Sequence, residues 1–386
     1  MNILYVAPNE YFPYHQAGFA HIYNICKSLQ GVGNKVYIIS RMVNVKERMY
    51  KNLKIHYVPW TIRDMLFPLI PIRETIKFIK KYEIDVIHER QSIPGGIGVL
   101  SSRIFRIPSV LEINSPLSEE VYSRTPIYYL TQLNNKIQTS LASVILTQTP
   151  ILKSILEIHT KKAIEVVPNA ADPILFNSKN GSDVIKKYNL RKKKIITYVG
   201  AFTPWHGVDD LILAFKEIKN NIPDSSLLLI GKGKGFDETK ALVKSLGLMK
   251  DVIFTGPIAY DEIPEYLSIS DVLVAPFNTQ RSKKRVDAFR KYGLWWSPVK
   301  LFEYMAMAKP IVATSLGMVP EYIKGAGLLF REGNIEDLSL KIIRLLENDE
   351  LSKKLGKQGR KNIIKKYNWG NQAEKIMKIY EKLLDK

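Results

Sequence analysis

Lys300 and Glu303 stand within the run Ser297–Pro310, three residues apart. Ser297 is a good helix N-cap, and Pro298 suits the first helical position, where a missing N–H costs nothing. The pattern predicts a helix that Lys309-Pro310 ends, then a short buried strand, Ile311–Thr314. Free N–H groups and partial positive charge at a helix start can hold phosphate. Lys300 adds a full charge there. Glu303, one turn further in, can accept hydrogen bonds from sugar hydroxyls. A cationic first turn beside a carboxylate suits a nucleotide sugar. A buried amphipathic helix with an ordinary N-cap accounts for the same residues, and both readings stand at this level.

Other stretches carry chemistry of their own. Gly231-Lys232-Gly233-Lys234-Gly235 follows an apolar strand pattern. Gly231 and Gly233 let a backbone approach phosphate or base, and the lysines add charge. The P-loop ending and the dinucleotide spacing are both absent, so a plain strand-to-helix turn is the other reading. Glu112 and Asn114 alternate onto one face at the end of another strand pattern. Glu112 would orient or deprotonate an acceptor hydroxyl while Asn114 bonds sugar, unless the stretch is a cap and turn. His88-Glu89-Arg90 also closes a strand, with His88 either a core histidine or on the acceptor side with Arg90. Arg281, Lys283, Lys284, Arg285, Arg290 and Lys291 face one Asp287, which predicts a mobile basic loop or a solvated one. No Asp-x-Asp constellation presents itself, so no metal is expected.

Strand patterns run through Ile3–Ala7, Lys35–Ser40, Lys54–Val58, Asp85–His88, Ser109–Asn114, Ser143–Thr147 and Ile164–Val167. A second series covers Ile195–Val199, Ser226–Ile230, Val252–Thr255, Val272–Pro276, Ile311–Thr314 and Gly327–Phe330. Apolar strands alternating with helices imply parallel sheets covered on both faces, hence an α/β protein of two Rossmann-like domains. Ligands are expected at the carboxyl ends of the strands, in the cleft between domains. Pro168, Pro173 and Gly181 mark the boundary. The expected domains are 1–170 and 171–366, with 367–386 as a last helix.

The 386 residues exceed one typical domain, and 46% hydrophobic content is globular. A single cysteine, Cys26, excludes a disulfide framework or a Cys-rich zinc site. Neither a signal peptide nor a bilayer-spanning run is seen, so a cytoplasmic location is expected. The net charge of +20 asks for an anionic partner: nucleic acid, an anionic membrane surface or an acidic polymer. Nucleic acid is not expected, because no RNP strand or zinc-finger spacing occurs. A Lys-rich chain with solvated faces is the plain alternative. Met65–Ile72, apolar with two prolines, either dips into a membrane interface or packs under a loop.

Together, Ser297–Pro310, Met1–Val6, Ala17-Gly18, Asp85–His88, Val166–Asp172 with its Pro-Asn-x-x-Asp junction, Tyr198-Val199-Gly200 and Tyr367-Asn368-Trp369 resemble the GT-B glycosyltransferases. The resemblance is to the retaining family called family 4 or group 1, and it covers nearly the whole chain. It implies a GT-B fold whose domains face across a cleft, with the final helix crossing back to the N-terminal domain. It implies a nucleoside diphosphate sugar donor, UDP- or GDP-linked, and no cofactor. The acceptor would be a glycan or a polyprenyl-linked molecule at a membrane, in cell-surface polysaccharide or glycoconjugate synthesis.

Carried over by residue, Lys300 and Glu303 meet the donor, Glu303 at its ribose. Gly18 meets the diphosphate, and Gly231 and Gly233 lie beside the nucleotide. The loop from Gly200 to Gly207 also belongs to the donor site. Family members often place Arg and Lys where this loop has Ala201 and His206. Trp295 replaces a glutamate eight residues before Glu303, and Asn114 stands where many relatives have His. Lys300 or the Arg281–Arg285 cluster would supply the missing charge. Related subgroups carry the Ser-Pro-x-Lys-x-x-Glu pattern, so the chain is a variant rather than a relic. The family mechanism lets a donor phosphate oxygen take the acceptor proton, leaving the protein to position and to stabilise the departing diphosphate. Rival readings are a GT-B nucleotide-sugar epimerase and a catalytically weak basic binding protein.

Overall fold

The computed structural model describes every residue except 8–16, 42–46, 51, 59–68, 93–94, 117–127, 282–285 and 386. The chain forms two units, Met1–Asn169 with Trp369–Lys386, and Ala170–Asn368. Each is built on one sheet, and both are Rossmann-like.

In the first unit the strands are β1 (Asn2–Ala7), β2 (Lys35–Arg41), β3 (Glu47–Tyr50), β4 (Leu53–Val58), β5 (Val86–Arg90), β6 (Ser109–Ile113), β7 (Val144–Thr147) and β8 (Ile164–Val166). Their order is β3-β4-β2-β1-β5-β6-β7-β8. Every neighbouring pair is parallel except β3 with β4. The central strands β1, β5 and β6 are buried almost throughout, as a sheet covered on both faces requires, with polar His88, Glu89 and Glu112 among the buried residues. Strand β3 was not expected. It is a charged edge strand of four residues, too short and polar to show a period. The helix Trp369–Leu384 belongs to this unit and packs on Ala17–Gly31, with Asn34 Nδ2 3.2 Å from the Met377 sulfur.

In the second unit the strands are β9 (Lys194–Val199), β10 (Ser225–Ile230), β11 (Val252–Gly256), β12 (Val272–Ala275), β13 (Ile311–Thr314) and β14 (Gly327–Phe330). All pair in parallel, in the order β11-β10-β9-β12-β13-β14. The chain moves outward from β9, returns, and continues on the other side. The order reverses between β9 and β12, and in open parallel sheets the crevice outside such a point binds ligands. In the first sheet the same reversal falls between β1 and β5.

The helix carrying Lys300 and Glu303 spans Val299–Ala306, and Leu301–Ala306 are all buried. Ser297 does not cap it as expected. Pro298 occupies the cap position in an extended conformation, and buried Ser297 bonds the Tyr322 hydroxyl instead. Ala308 at φ 56° then leads out of the helix toward Lys309-Pro310, the expected stop.

Candidate active site

The reversal between β9 and β12 holds a buried cation. Lys300 Nζ lies 4.2 Å from the centre of the Tyr198 ring, at the end of β9, and 5.4 Å from that of Phe277, just past β12. The two ring faces attract it, but the enclosed ammonium has no hydrogen-bond partner. Burial lowers its pKa to about 7, against the opposing pull of Glu303. Burial also raises Glu303 to about 7, while a Tyr260 hydrogen bond and Lys300 act the other way. An ammonium carries three donors, and enclosing them unused is costly. The site is therefore preorganised for an anion.

Local backbone leaves that ammonium its room. Gly200 has φ +149°, and a Cβ there would come 2.5 Å from Lys300 Nζ. Val199 N donates to the Tyr304 hydroxyl at 2.8 Å, pinning the helix to the end of β9. His206 Nδ1 sits 2.7 Å from the Ala201 carbonyl, so Nδ1 donates and the ring is oriented by its own loop.

Gly231 and Gly233 have a packing reason of their own to be glycine. A Cβ on Gly231 would meet Gly200 O at 2.1 Å, and one on Gly233 would meet Phe202 N and O at 2.5 Å. Phe202 N donates to Lys232 O at 3.3 Å and Gly235 N to Phe202 O at 2.9 Å. The close approach these glycines permit is of one loop to another.

The missing charge does not come from Arg281, whose Nε donates to Asp210 Oδ1 at 2.7 Å. Lys283, Lys284 and Arg285 lie outside the described residues. The expected loop there contains the helix Val286–Tyr292. Trp295 is fully buried and stacks on Phe289 at 5.0 Å, an apolar anchor where the family's glutamate was sought. Among the described residues of this unit, Lys300 is the enclosed cation left without a hydrogen-bond partner.

The first unit holds the opposite arrangement. Glu112, in β6, is fully buried. Tyr5 OH donates to Oε2 at 2.8 Å, and His88 Nε2 lies 3.1 Å from the same oxygen. His21 Nε2 is 2.5 Å from Oε1, and Arg90 Nη1 is 3.7 Å from it. Beyond them, His88 Nδ1 lies 2.6 Å from Tyr380 OH, and His21 Nδ1 2.6 Å from Asn169 Oδ1. Burial pushes the Glu112 carboxyl up, but His21, His88 and Arg90 prevail and hold it well below the usual range. Oε1 meets His21 and Arg90 as ion pairs, without a hydrogen bond. A carboxylate held so far below the usual range by its neighbours is a poor base, which corrects the expected acceptor-base role of Glu112. His88 is likewise a core residue rather than an acceptor contact, fully buried and stacked on Tyr5 at 4.8 Å. Arg90, 18% exposed, is the outermost member. Asn114, past β6, has both amide atoms enclosed without partners.

The comparisons divide at the same place as the structure. Residues 19–175 match "Glycosyltransferase Family 4", and residues 182–362 match "Glycosyl transferases group 1". The chain belongs to the group 1/family 4 glycosyltransferases. It is 28% identical over 388 residues to an uncharacterized glycosyltransferase of Methanocaldococcus jannaschii, covering 98% of each chain. Sucrose-phosphate synthase from Thermosynechococcus elongatus superposes with a TM-score of 0.79 at 18% identity, over 100% of this chain and 99% of that one. HepE from Anabaena, in complex with UDP-glucose, gives 0.75 at 18% identity, over 99% and 100%. The fold is GT-B.

In this glycosyltransferase the structure brings Lys300, Gly200 and the aromatic rings of Tyr198 and Phe277 together. It brings Glu112, His88 and Arg90 together as well. Sequence reasoning missed Tyr5, His21 and Tyr260. His21 had a signal: it lies three residues after Gly18 and so shares its helix face. Glu89 was missed too. Its buried carboxylate accepts Gly96 N at 2.8 Å and Val99 N at 2.7 Å, occupying the start of the helix Ile97–Phe105. That helix N-terminus is already filled by the protein's own carboxyl group, whose pKa burial raises to about 7 against the pull of those N–H groups.

Proposed function

We propose that this glycosyltransferase moves a sugar from a nucleoside diphosphate sugar, UDP- or GDP-linked, to a glycan or polyprenyl-linked acceptor, with retention at the anomeric carbon. The observation that carries the reading is the enclosed Lys300 ammonium without a hydrogen-bond partner, at the reversal between β9 and β12. A diphosphate supplies the acceptor oxygens this ammonium lacks. Negative charge grows on the diphosphate as the glycosidic bond breaks, and an enclosed cation stabilises it more than an exposed one would. Glu303, on the same helix, is the residue assigned to the ribose hydroxyls. The Anabaena neighbour's UDP-glucose supports a donor of this class.

In the proposed step the acceptor oxygen bonds the anomeric carbon as the carbon–phosphate oxygen bond breaks. The acceptor proton passes to the departing phosphate, on the same face. This scheme asks nothing of Glu112 as a base, in line with its lowered pKa. It uses no cofactor or metal, so transfer is expected to persist in chelator. The place of synthesis is proposed to be cell-surface polysaccharide or glycoconjugate, at the cytoplasmic side of a membrane.

Calorimetric titration with UDP, GDP and ADP tests the donor site, and product anomer by NMR tests retention. Binding of one diphosphate with transfer to an added glycan or polyprenyl phosphate sugar is expected. Epimerised donor without transfer, or no binding of any diphosphate, would sink the reading.

A further inference from the structure

The helix Tyr128–Leu141 is built inside out. Its buried residues are Thr131 and Gln138, while Tyr129, Leu130, Leu133 and Ile137 are 80%, 58%, 55% and 46% exposed. The polar side has a clear task. Gln138 Nε2 donates to Ser92 O at 2.9 Å, Asn134 Nδ2 reaches Gly95 O at 3.4 Å, and Gln91 Nε2 donates to Asn135 Oδ1 at 3.3 Å. These amides clamp the segment after β5, and the apolar side is turned outward as a result.

The neighbouring elements extend that surface. Leu100 and Ile104 are exposed on the adjoining helix Ile97–Phe105, whose Arg103 Nε bonds Leu141 O at 2.7 Å. Ile158, just past the helix Pro150–Glu157, is 73% exposed. A cavity of about 460 Å³ opens between Leu133, Lys136, Ile155 and Ile158. Scattered exposed apolar residues are ordinary, but a contiguous face on three adjoining elements marks an interaction site. Its charge is mostly positive. Arg103, Arg106, Lys136 and Lys161 are exposed around it. Against them stands the exposed carboxylate of Glu157 beside Ile158, which lies 3.8 Å from Lys153 Nζ, while Glu112 is fully buried.

We infer that this face docks on the interfacial layer of an anionic lipid bilayer. The apolar side chains enter the headgroup–acyl boundary while the surrounding cations meet lipid phosphates. A second copy fits less well, because an isologous contact would set four exposed cations of one copy against the same four of the other, with the exposed carboxylate of Glu157 to offset them. The inference rests on the proposed membrane-linked acceptor only in naming a membrane. Donor chemistry in the Ala170–Asn368 unit does not depend on it.

Flotation of the full chain with vesicles of phosphatidylglycerol and phosphatidylcholine, against phosphatidylcholine alone, tests the inference. Leu130→Ser/Leu133→Ser/Ile137→Ser is expected to weaken binding to anionic vesicles about tenfold or more, leaving a remainder that salt abolishes. Leu340→Ser/Ile364→Ser, exposed residues of the other unit, should change nothing. Should the triple variant misfold, a polarity-sensitive dye on Leu133→Cys should shift to the blue on anionic vesicles. Three results would overturn the inference: no parent binding at low salt, equal binding by a folded triple variant, or a parent dimer that the triple variant abolishes. Titration of the same proteins with UDP or GDP keeps the two proposals apart. Normal nucleotide binding without vesicle binding removes the docking face and leaves the donor site standing.

Discussion

Two strand ends of this glycosyltransferase bury charge in opposite ways. Where β1, β5 and β6 end, an anion is surrounded: Glu112 meets Tyr5, His21, His88 and Arg90. Where β9 and β12 end, a cation is enclosed and left without a hydrogen bond. The pKa directions follow. Partners outweigh burial at Glu112, and burial outweighs its partner at Lys300. A charge ringed by close partners spends its interactions on the fold, whereas one with neither an ion pair nor a hydrogen bond within reach keeps them for a ligand. The comparison separates a structural hub from a binding group, although both sit at the reversal of a parallel sheet.

The sharpest way to break this comparison is to remove each charge and measure stability without ligand. Glu112→Ala removes the buried carboxylate that Tyr5, His21, His88 and Arg90 all meet and should cost about 3–5 kcal/mol in urea unfolding. The Glu112 pKa is lowered in the fold, so its contribution is present above the ordinary carboxylate range. It is lost as pH falls through the lowered value, and the gap between parent and Glu112→Gln should close in acid. A loss within error at neutral pH would mean that the hub does not hold the unit.

Lys300→Met should do the reverse. Without ligand, stability should hold or rise, since an unsatisfied buried ammonium is gone. Nucleoside diphosphate affinity should fall by about 2–3 kcal/mol, the scale of hydrogen bonds to a charged group, and turnover should fall with it. A destabilised variant that still binds diphosphate as the parent does would place Lys300 with the structural charges.

A pH profile sharpens the same point. Lys300 titrates at about 7 in the free protein, and a bound diphosphate favours its charged form. Affinity should therefore weaken as pH rises above about 7, by up to about tenfold per unit, with a proton taken up on binding. Calorimetry in buffers of different ionisation heat reads that uptake. A flat profile from pH 6.5 to 8.5, no uptake, and the same behaviour in Lys300→Arg would leave Lys300 no role in binding.

The smallest expected effect is at Glu303. Glu303→Gln keeps the shape and some hydrogen bonding, so diphosphate affinity should drop by about 1 kcal/mol, with deoxyribose nucleotides losing less than ribose ones. Equal losses for both sugars would separate Glu303 from the ribose.

Much of the fold was legible because parallel strands are runs of buried apolar residues. Ile311–Thr314 and Gly327–Phe330 match expectation to the residue. Strand β3 was not legible, since its four residues, Glu47–Tyr50, carry charge and are too few to show a period. The helix behind Lys300 and Glu303 was legible from its Pro start and Lys-Pro stop. Its cap was not, because Ser297 found a partner, Tyr322, well beyond its own neighbourhood. Gly231 and Gly233 were visible as special positions, but the atoms that require them are Gly200 O and the Phe202 backbone in another loop.

By itself, then, the sequence determined every strand but β3, that two largely parallel sheets form, and that Lys300 and Glu303 share one helix. Those properties depend on short-range periodicity and on the φ preferences of proline and glycine. Tertiary structure alone decided which charges are satisfied. Tyr5 reaches Glu112 across 107 positions of chain, and Tyr198 lies under an ammonium on a distant helix. Protonation and hydrogen-bond satisfaction are set by whatever long-range folding brings within a few ångströms, and by how completely it excludes water. Buried charges of opposite sign at the ends of two similar sheets thus came to hold, in one case, the fold together, and in the other an open position for an anion.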